Sequence, residues 1–155
     1  MKGKADAIPR SDQWVYELKW DGMRVMVHRD ADRLLMRSAS GREITSTFPE
    51  LQGLAEIVPP GTVLDGEAIV MVDGAPSFRT LQHRIHVGQP SPALIEEFPV
   101  KFVAFDLLWF DGHDIMSLPF EARRGALETA VDVGPSWLVS ALTEGAPQDL
   151  FDVAV

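Results

Sequence analysis

Two long strand-like runs, each followed by an Asp-Gly pair, constrain the fold of this chain more than any other feature. "TVLDGEAIVMV" spans residues 62–72 and precedes Asp-Gly at 73–74, and "VKFVAFDLLWF" spans residues 100–110 and precedes Asp-Gly at 111–112. Runs rich in Val, Ile and Phe favour strands, and Asp-Gly is typical of tight hairpin turns. The second run is the most apolar in the chain, and it predicts a buried strand.

Shorter elements are predicted around these runs from periodicity and from Pro and Gly positions. Three shorter strands, which would form an antiparallel meander, are predicted at 14–19, 23–29 and 33–39. A loop is predicted at 88–92, and helices are predicted at 49–58, 77–87, 118–131 and 146–155.

Length, charge and cysteine content limit the class of protein. At 155 residues the chain is about one domain long. No apolar run approaches the roughly 20 residues that cross a bilayer, and no signal peptide is evident, so we expect a cytoplasmic protein without a membrane partner. The chain has no cysteine, which excludes disulfides and thiolate metal sites. Its net charge of −9 argues against a stand-alone nucleic-acid binder, because phosphate contacts come from Lys and Arg.

The stretch "WVYELKWDGMR" at residues 14–24 ends a predicted strand with a lysine. Side chains alternate along a strand, so Glu17 and Lys19 share one face. Gly22 permits a sharp turn, and Arg24 opens the next strand. A nearby second cation disfavours the ammonium form and makes a lysine nucleophilic near neutral pH. Taken alone, such a stretch is more often a surface hairpin with a salt-bridged lysine.

The run "VLDGEAIV" at residues 63–70 places Asp-Gly inside an apolar strand, which is unusual for a strand interior. Asp65 and Glu67 point to one face, and Gly66 between them leaves room for a close neighbour. Two carboxylates in an apolar strand indicate either ion pairing or a divalent cation with oxygen ligands. The sequence leaves both interpretations open.

These stretches carry a family resemblance. "ELKWDGMR" resembles the adenylation motif of ATP-dependent DNA ligases, the Lys-x-Asp-Gly-x-Arg signature of covalent nucleotidyltransferases. The stretches that follow it in bacterial ligases of this type are similar to "RSASGREITSTFPEL", "RTLQHRIHV", "VLDGEAIV" and "FVAFDLLWFDG". The resemblance covers residues 14–155. It implies an α+β fold of mainly antiparallel sheets flanked by helices, the nucleotidyltransferase fold of DNA ligases and capping enzymes, in incomplete form.

The resemblance also implies a reaction and a set of site residues. Lys19 would attack the α-phosphate of ATP and release pyrophosphate. The AMP would then pass to the 5′-phosphate of nicked double-stranded DNA, and the 3′-hydroxyl would displace it during DNA repair. The nucleotide-binding residues would be Lys19 itself, Glu17 as an acid, Arg24 near ribose and phosphate, Glu67 at the ribose, and Phe105 stacked on adenine. Glu67 would also bind Mg²⁺ or Mn²⁺.

The chain departs from the family at two places. Ala39 stands where an arginine that contacts nucleotide or phosphate is expected, and Ser40 stands where asparagine is common. Arg37, two residues earlier on the same strand face, can partly substitute. The family's later Glu-Gly and Lys-x-Lys motifs and its oligonucleotide-binding domain are not in this sequence.

We therefore expect residues 1–155 to be a partial adenylation domain without an oligonucleotide-binding domain. Alone, it would form at most a trace of lysyl–AMP and would seal no nicks. Self-association, or a partner chain, is expected at the truncated edge. The alternative is a catalytically impaired remnant or interaction module that at most binds ATP. An RNA ligase or capping guanylyltransferase ranks last, because "TSTFPEL" and "FDLLWFDG" look more like bacterial DNA ligases.

Overall fold

The computed structural model describes residues 14–144. The chain divides into two compact units, of which the larger is Trp20–Val139. The smaller unit contains the segments on either side of it, here residues 14–19 and 140–144. The helix predicted at 146–155 lies outside the described residues.

The larger unit is built on a sheet of seven strands. The strands in chain order are β2 (Met23–Arg29), β3 (Leu34–Ser38), β4 (Thr62–Val72), β5 (Ala75–Pro76), β6 (Val100–Phe110), β7 (His113–Asp114) and β8 (Trp137–Val139). The spatial order is β3-β2-β4-β6-β7, with β5 paired to β4 and β8 paired to β6. The β6–β8 pair is parallel and the other strand pairs of this sheet are antiparallel. The predicted class, α+β with mainly antiparallel strands, is confirmed.

The two long strands end where the sequence predicts. β4 turns into β5 through Asp73 and Gly74, whose φ angles are 51° and 85°. β6 turns into β7 through Asp111 and Gly112, whose φ angles are 48° and 77°. Positive φ at both central residues is the condition for the tight hairpin turn that Asp-Gly favours.

The helices are α1 (Leu54–Ile57), α2 (Phe78–Ile85), α3 (Pro92–Glu97) and α4 (Phe120–Ala130). The helix predicted at 49–58 is broken, since Pro49–Leu51 forms a 3₁₀ turn and only Leu54–Ile57 is α-helical. Helix α3 is absent from the sequence-based prediction. Ser91 caps it by accepting a hydrogen bond from the Leu94 N–H, with Pro92 in the first turn, a sequence pattern typical of helix starts.

The core lies on one face of the sheet. β2 contributes Val25 and Val27, and β4 contributes Leu64, Ala68 and Val70, all at most 2% exposed. Facing them are buried side chains of the helices and 3₁₀ segments, namely Phe48, Leu51, Leu54, Leu81 and Leu127. Side chains alternate along a strand, so Arg24, Asp65 and Glu67 project from the opposite face.

A fully buried arginine joins the segments that cover the core. Arg84 of α2 is 0% exposed. It donates to both carboxylate oxygens of Glu50 at 2.8 and 3.0 Å, and to the carbonyls of Phe98 at 2.7 Å and Thr47 at 3.1 Å. Glu50 also accepts the Val100 N–H at 3.1 Å. The pair therefore ties α2 to the 3₁₀ segment and to the start of β6.

The smaller unit contains a two-stranded antiparallel sheet of β1 (Val15–Glu17) and β9 (Leu142–Glu144). The predicted meander is therefore wrong for its first strand, although the β2–β3 hairpin is present. The physical reason is that β4 pairs with the other edge of β2, so β2 has no edge left for β1. Among residues 14–144, no helix is long and apolar enough to cross a bilayer.

Candidate functional site

Three of the residues that the sequence singles out lie together on the sheet face opposite the core. In the β2–β4 ladder Arg24 is directly opposite Glu67. The Arg24 Cζ lies 6.0 Å from the centroid of the Phe105 ring, at a distance where a cation is attracted to an aromatic face. The face therefore offers a cation, a carboxylate and an aromatic ring.

Asp65 fixes the guanidinium of Arg24. The Arg24 Nε donates to Asp65 Oδ1 at 2.9 Å, and its Nη2 donates to Asp65 Oδ2. Asp65 is only 3% exposed, so the two residues form a partly desolvated, bidentate ion pair. Bidentate arginine–carboxylate pairs are among the strongest hydrogen-bonded contacts in proteins. The hydrogen bond to Asp65, with the nearby carboxylates of Glu67 and Asp106, raises the pKa of Arg24. Of the two interpretations left open for Asp65, the structure shows ion pairing.

A β-bulge positions Phe105. Asp65 of β4 faces Asp106 of β6, and the next residue of β4, Gly66, faces Ala104. Phe105 is therefore an extra residue without a partner in β4. A Cβ on Gly66 would lie 2.4 Å from Phe102 Cε2, so only glycine fits against this segment of β6. Bulges of this kind redirect side chains.

Asp106, the residue after Phe105, is held by helix α4. Arg123 donates from Nε to Asp106 Oδ1 at 2.9 Å and from Nη2 to Asp106 Oδ2 at 3.0 Å. Arg123 Nη1 also donates to the Leu118 carbonyl at 2.7 Å. The hydrogen bond to Asp106 raises the pKa of Arg123. Sequence reasoning treated neither residue as part of a site, and their separation along the chain gives no local signal.

The Asp and Gly that follow Lys19 have structural reasons of their own. The Asp21 carboxylate accepts the Phe78 N–H at 3.1 Å, at the start of α2. A Cβ on Gly22 would lie 2.3 Å from the Ala68 carbonyl oxygen and 2.8 Å from Glu67 Cγ. The turn therefore packs directly on β4 beside Glu67.

Gly22→Ala is expected to destabilise the chain by about 1–3 kcal/mol, because the added methyl must displace strand backbone. Gly125→Ala is the matched control. It lies within α4, with open space where the added methyl would point, and should stabilise by up to about 1 kcal/mol through helix propensity. Urea unfolding of both variants measures the difference. If both substitutions changed the free energy of unfolding by the same small amount, the close approach of Gly22 to β4 would be contradicted.

The remaining two predicted residues belong to the smaller unit. Glu17 lies in β1 opposite Leu142, and Lys19 follows the end of this strand. Both side chains are exposed. That Glu17 and Lys19 meet Arg24, Glu67 and Phe105 in one pocket stays a prediction.

A cavity of about 310 Å³ opens beside Arg24. Its lining residues are Arg24, Met26, His28, Arg37, Ser38, Ala39 and Gly41. Ala39 and Arg37 therefore line the same space, and Arg37 Nη1 donates to the Gly41 carbonyl at 3.1 Å. Burial, and then the charge of Arg37, lower the pKa of His28, so its imidazole is neutral near pH 7. Arg37 is the cation closest in sequence to the alanine.

The described residues contain no group of three or more His, Asp or Glu side chains suited to a metal ion. Asp65 and Asp106 each accept two hydrogen bonds from one arginine. The metal ligand that the family resemblance implies is Glu67. One carboxylate is sufficient for Mg²⁺ where phosphate oxygens and water supply the other ligands, so the face fits a metal that arrives with a nucleotide.

Comparison with known proteins identifies relatives over most of the chain. The family described as "ATP dependent DNA ligase domain" matches residues 2–146. The multifunctional non-homologous end joining protein LigD of Mycolicibacterium smegmatis is 37% identical over 127 residues, covering 81% of this chain and 15% of that protein. DNA ligase C2 of the same organism is 38% identical over 135 residues, covering 85% of this chain and 38% of that protein.

Solved structures show the same fold. A mycobacterial DNA ligase D complexed with ATP and MES matches with a TM-score of 0.70 at 34% identity, covering 90% of this chain and 43% of that one. The ligase domain of LigD from M. tuberculosis matches with a TM-score of 0.71 at 33% identity, covering 90% and 44%. The chain thus spans less than half the length of these proteins.

Proposed function

The chain belongs to the family of ATP dependent DNA ligase domains, and from this premise we propose that it carries AMP from ATP to DNA during strand joining in DNA repair. The substrates would be ATP and the 5′-phosphate at a nick in double-stranded DNA. Relatives named for non-homologous end joining support a role in repair of breaks.

The first step would use Lys19 as the nucleophile. Its neutral amine attacks the α-phosphorus of ATP, a P–N bond forms, and the bond to the β-phosphate oxygen breaks with release of pyrophosphate. The amine proton leaves to solvent. In the second step an oxygen of the DNA 5′-phosphate attacks the AMP phosphorus, the P–N bond breaks, and the Lys19 nitrogen takes up a proton from solvent. The 3′-hydroxyl then attacks that phosphate and expels AMP.

The observation that carries the proposal is the grouping of Arg24, Glu67 and Phe105 on one sheet face. Stacking of a base on an aromatic ring contributes about 1–3 kcal/mol, which gives Phe105 a role with adenine. Asp65 takes up the Nε and Nη2 side of Arg24 and holds the guanidinium in place, so that Nη1 would donate to ribose or phosphate oxygens. Glu67 would hold Mg²⁺ or Mn²⁺, which neutralises charge on the phosphates.

Labelled ATP tests the proposal directly. The chain is incubated with magnesium and either α-labelled or γ-labelled ATP, and then run on a denaturing gel. We expect covalent label from α-labelled ATP only, because the γ-phosphate leaves with pyrophosphate. Label from γ-labelled ATP alone would indicate phosphorylation, and label from both would indicate that the whole triphosphate is retained. Either result would contradict the proposed reaction.

A second candidate, a remnant that binds ATP without reacting, is favoured by one observation. Ala39 lines the cavity beside Arg24, where the family pattern predicts an arginine. Losing one electrostatic contact to a reacting phosphate typically costs about 10²–10³ in rate. We therefore expect slow labelling. ATP binding by calorimetry with no label after prolonged incubation would support the remnant instead.

A further inference from the structure

We propose that Asp106 and Arg123 form a positioning pair that sets the ring of Phe105 for stacking on adenine. The inference rests on the proposed function, since it assigns Phe105 to the base. Neither member of the pair is proposed to touch the nucleotide. Their action is on the backbone of β6 next to the ring.

The bulge makes such support necessary. Phe105 has no partner residue in β4, because Asp106 pairs with Asp65 and Ala104 pairs with Gly66. An extra residue disrupts the ladder locally and bends its strand. The direction of the Phe105 side chain therefore depends on what holds the residues beside it.

Asp106 holds the strand immediately after Phe105. Its Oδ1 accepts the N–H of Leu107 at 2.8 Å, which fixes the carboxylate against its own backbone. The same oxygen accepts the Nε of Arg123 at 2.9 Å, and Oδ2 accepts Nη2 at 3.0 Å. The bulge is thus held by a side-chain ion pair in addition to the strand pairs on either side of Phe105.

Arg123 is itself anchored. Its third hydrogen bond goes to the Leu118 carbonyl, just before α4. Helix α4 is seated in the core through Leu127, which is 0% exposed. The two side chains of the ion pair are 17% and 23% exposed, so solvent screens the pair less than a surface pair. A rigid helix thereby holds the bulge in place.

The ion pair holds the backbone on the base side of the site, and on the phosphate side Asp106 adds only to the negative charge near Arg24. Arg24, the candidate phosphate ligand, is fixed separately by Asp65. Loosening the bulge should therefore weaken binding of a nucleotide that has a base more than binding of a bare triphosphate. A loss of global stability would weaken both.

The experiment measures affinity of the whole chain for ATP and for inorganic tripolyphosphate by calorimetry, with magnesium present. We expect Arg123→Gln to weaken ATP binding about tenfold, a large part of one base-stacking contact, and to change tripolyphosphate binding no more than the loss of a surface arginine does. Arg123→Lys keeps the charge but not the fork, and should give an intermediate loss. Arg33→Gln, at an exposed ion pair with Asp30, is the matched control.

A double variant isolates the mechanism. If the pair acts through the ring, Arg123→Gln should cost nothing further in a Phe105→Ala background. The inference would be overturned if Arg123→Gln weakened ATP binding in the Phe105→Ala background as much as it does in the wild type. Equal losses of affinity for ATP and for tripolyphosphate would overturn it as well. Should Arg123→Gln not fold, the same comparisons are made with Arg123→Lys.

Different results would refute the proposed function and the positioning role of Asp106 and Arg123. If the wild-type chain bound ATP no better than tripolyphosphate, the assignment of Phe105 to adenine would be refuted, and this inference with it. A wild type that prefers ATP, together with an Arg123→Gln variant that keeps the full preference, would refute this inference alone.

Discussion

Lys19→Ala is expected to abolish covalent labelling of the chain by α-labelled ATP, since removal of the nucleophile eliminates the intermediate itself. ATP binding should survive, because Arg24, Glu67 and Phe105 are unchanged. Denaturing electrophoresis measures the label, and mass spectrometry of the digested chain locates AMP on its peptide.

The chain offers a clean control for this result. Its lysines are Lys2, Lys4, Lys19 and Lys101. Lys101 lies in β6 with an exposed side chain, so Lys101→Ala should label like wild type. Label that persists at wild-type level in Lys19→Ala, or that maps to another lysine, would rule out Lys19 as the nucleophile.

Arg84→Ala is expected to lower the free energy of unfolding by about 3–5 kcal/mol, the usual effect of removing one member of a buried ion pair. The substitution leaves the Glu50 carboxylate without its two-pronged partner and the carbonyls of Thr47 and Phe98 without a donor. It also empties space beside the Phe48 ring, which lies 5.9 Å from the Arg84 Cζ. Urea denaturation followed by tryptophan fluorescence measures the loss.

Arg33→Ala provides the comparison for Arg84→Ala. Its ion pair with Asp30 has side chains 66% and 60% exposed, and exposed pairs contribute about 0–1 kcal/mol. If the two substitutions shifted the unfolding midpoint equally, Arg84 would not be the structural hub that its contacts indicate.

Much of the sheet could be predicted because its signals are local. β4 and β6 begin and end where the apolar runs do, and each Asp-Gly pair adopts the left-handed backbone that its chemistry favours. The partner of β1 could not be predicted, since pairing depends on which strand edges remain open once the whole sheet has formed. Helix α3 escaped prediction although Ser91 and Pro92 carry a usable start signal.

The candidate site also has residues that the sequence could predict and contacts that it could not. Lys19, Arg24 and Glu67 stand in contiguous motifs, so sequence pattern alone could single them out. Asp65 could be singled out in the same way, but its pairing with Arg24 and the pairing of Asp106 with Arg123 could not be found, because the partners lie 41 and 17 residues apart. Contacts between side chains so far apart along the chain leave no periodicity that the sequence alone reveals.

The β1–β9 pair has a consequence for motion. Each strand has three residues, and Val15 pairs with Glu144 across nearly the whole described chain. A two-stranded ribbon of this size is marginal by itself. We infer that β1 and β9 separate at a lower free energy than the seven-stranded sheet unfolds. The strand that leads into Lys19 can therefore open and re-form while the core stays intact.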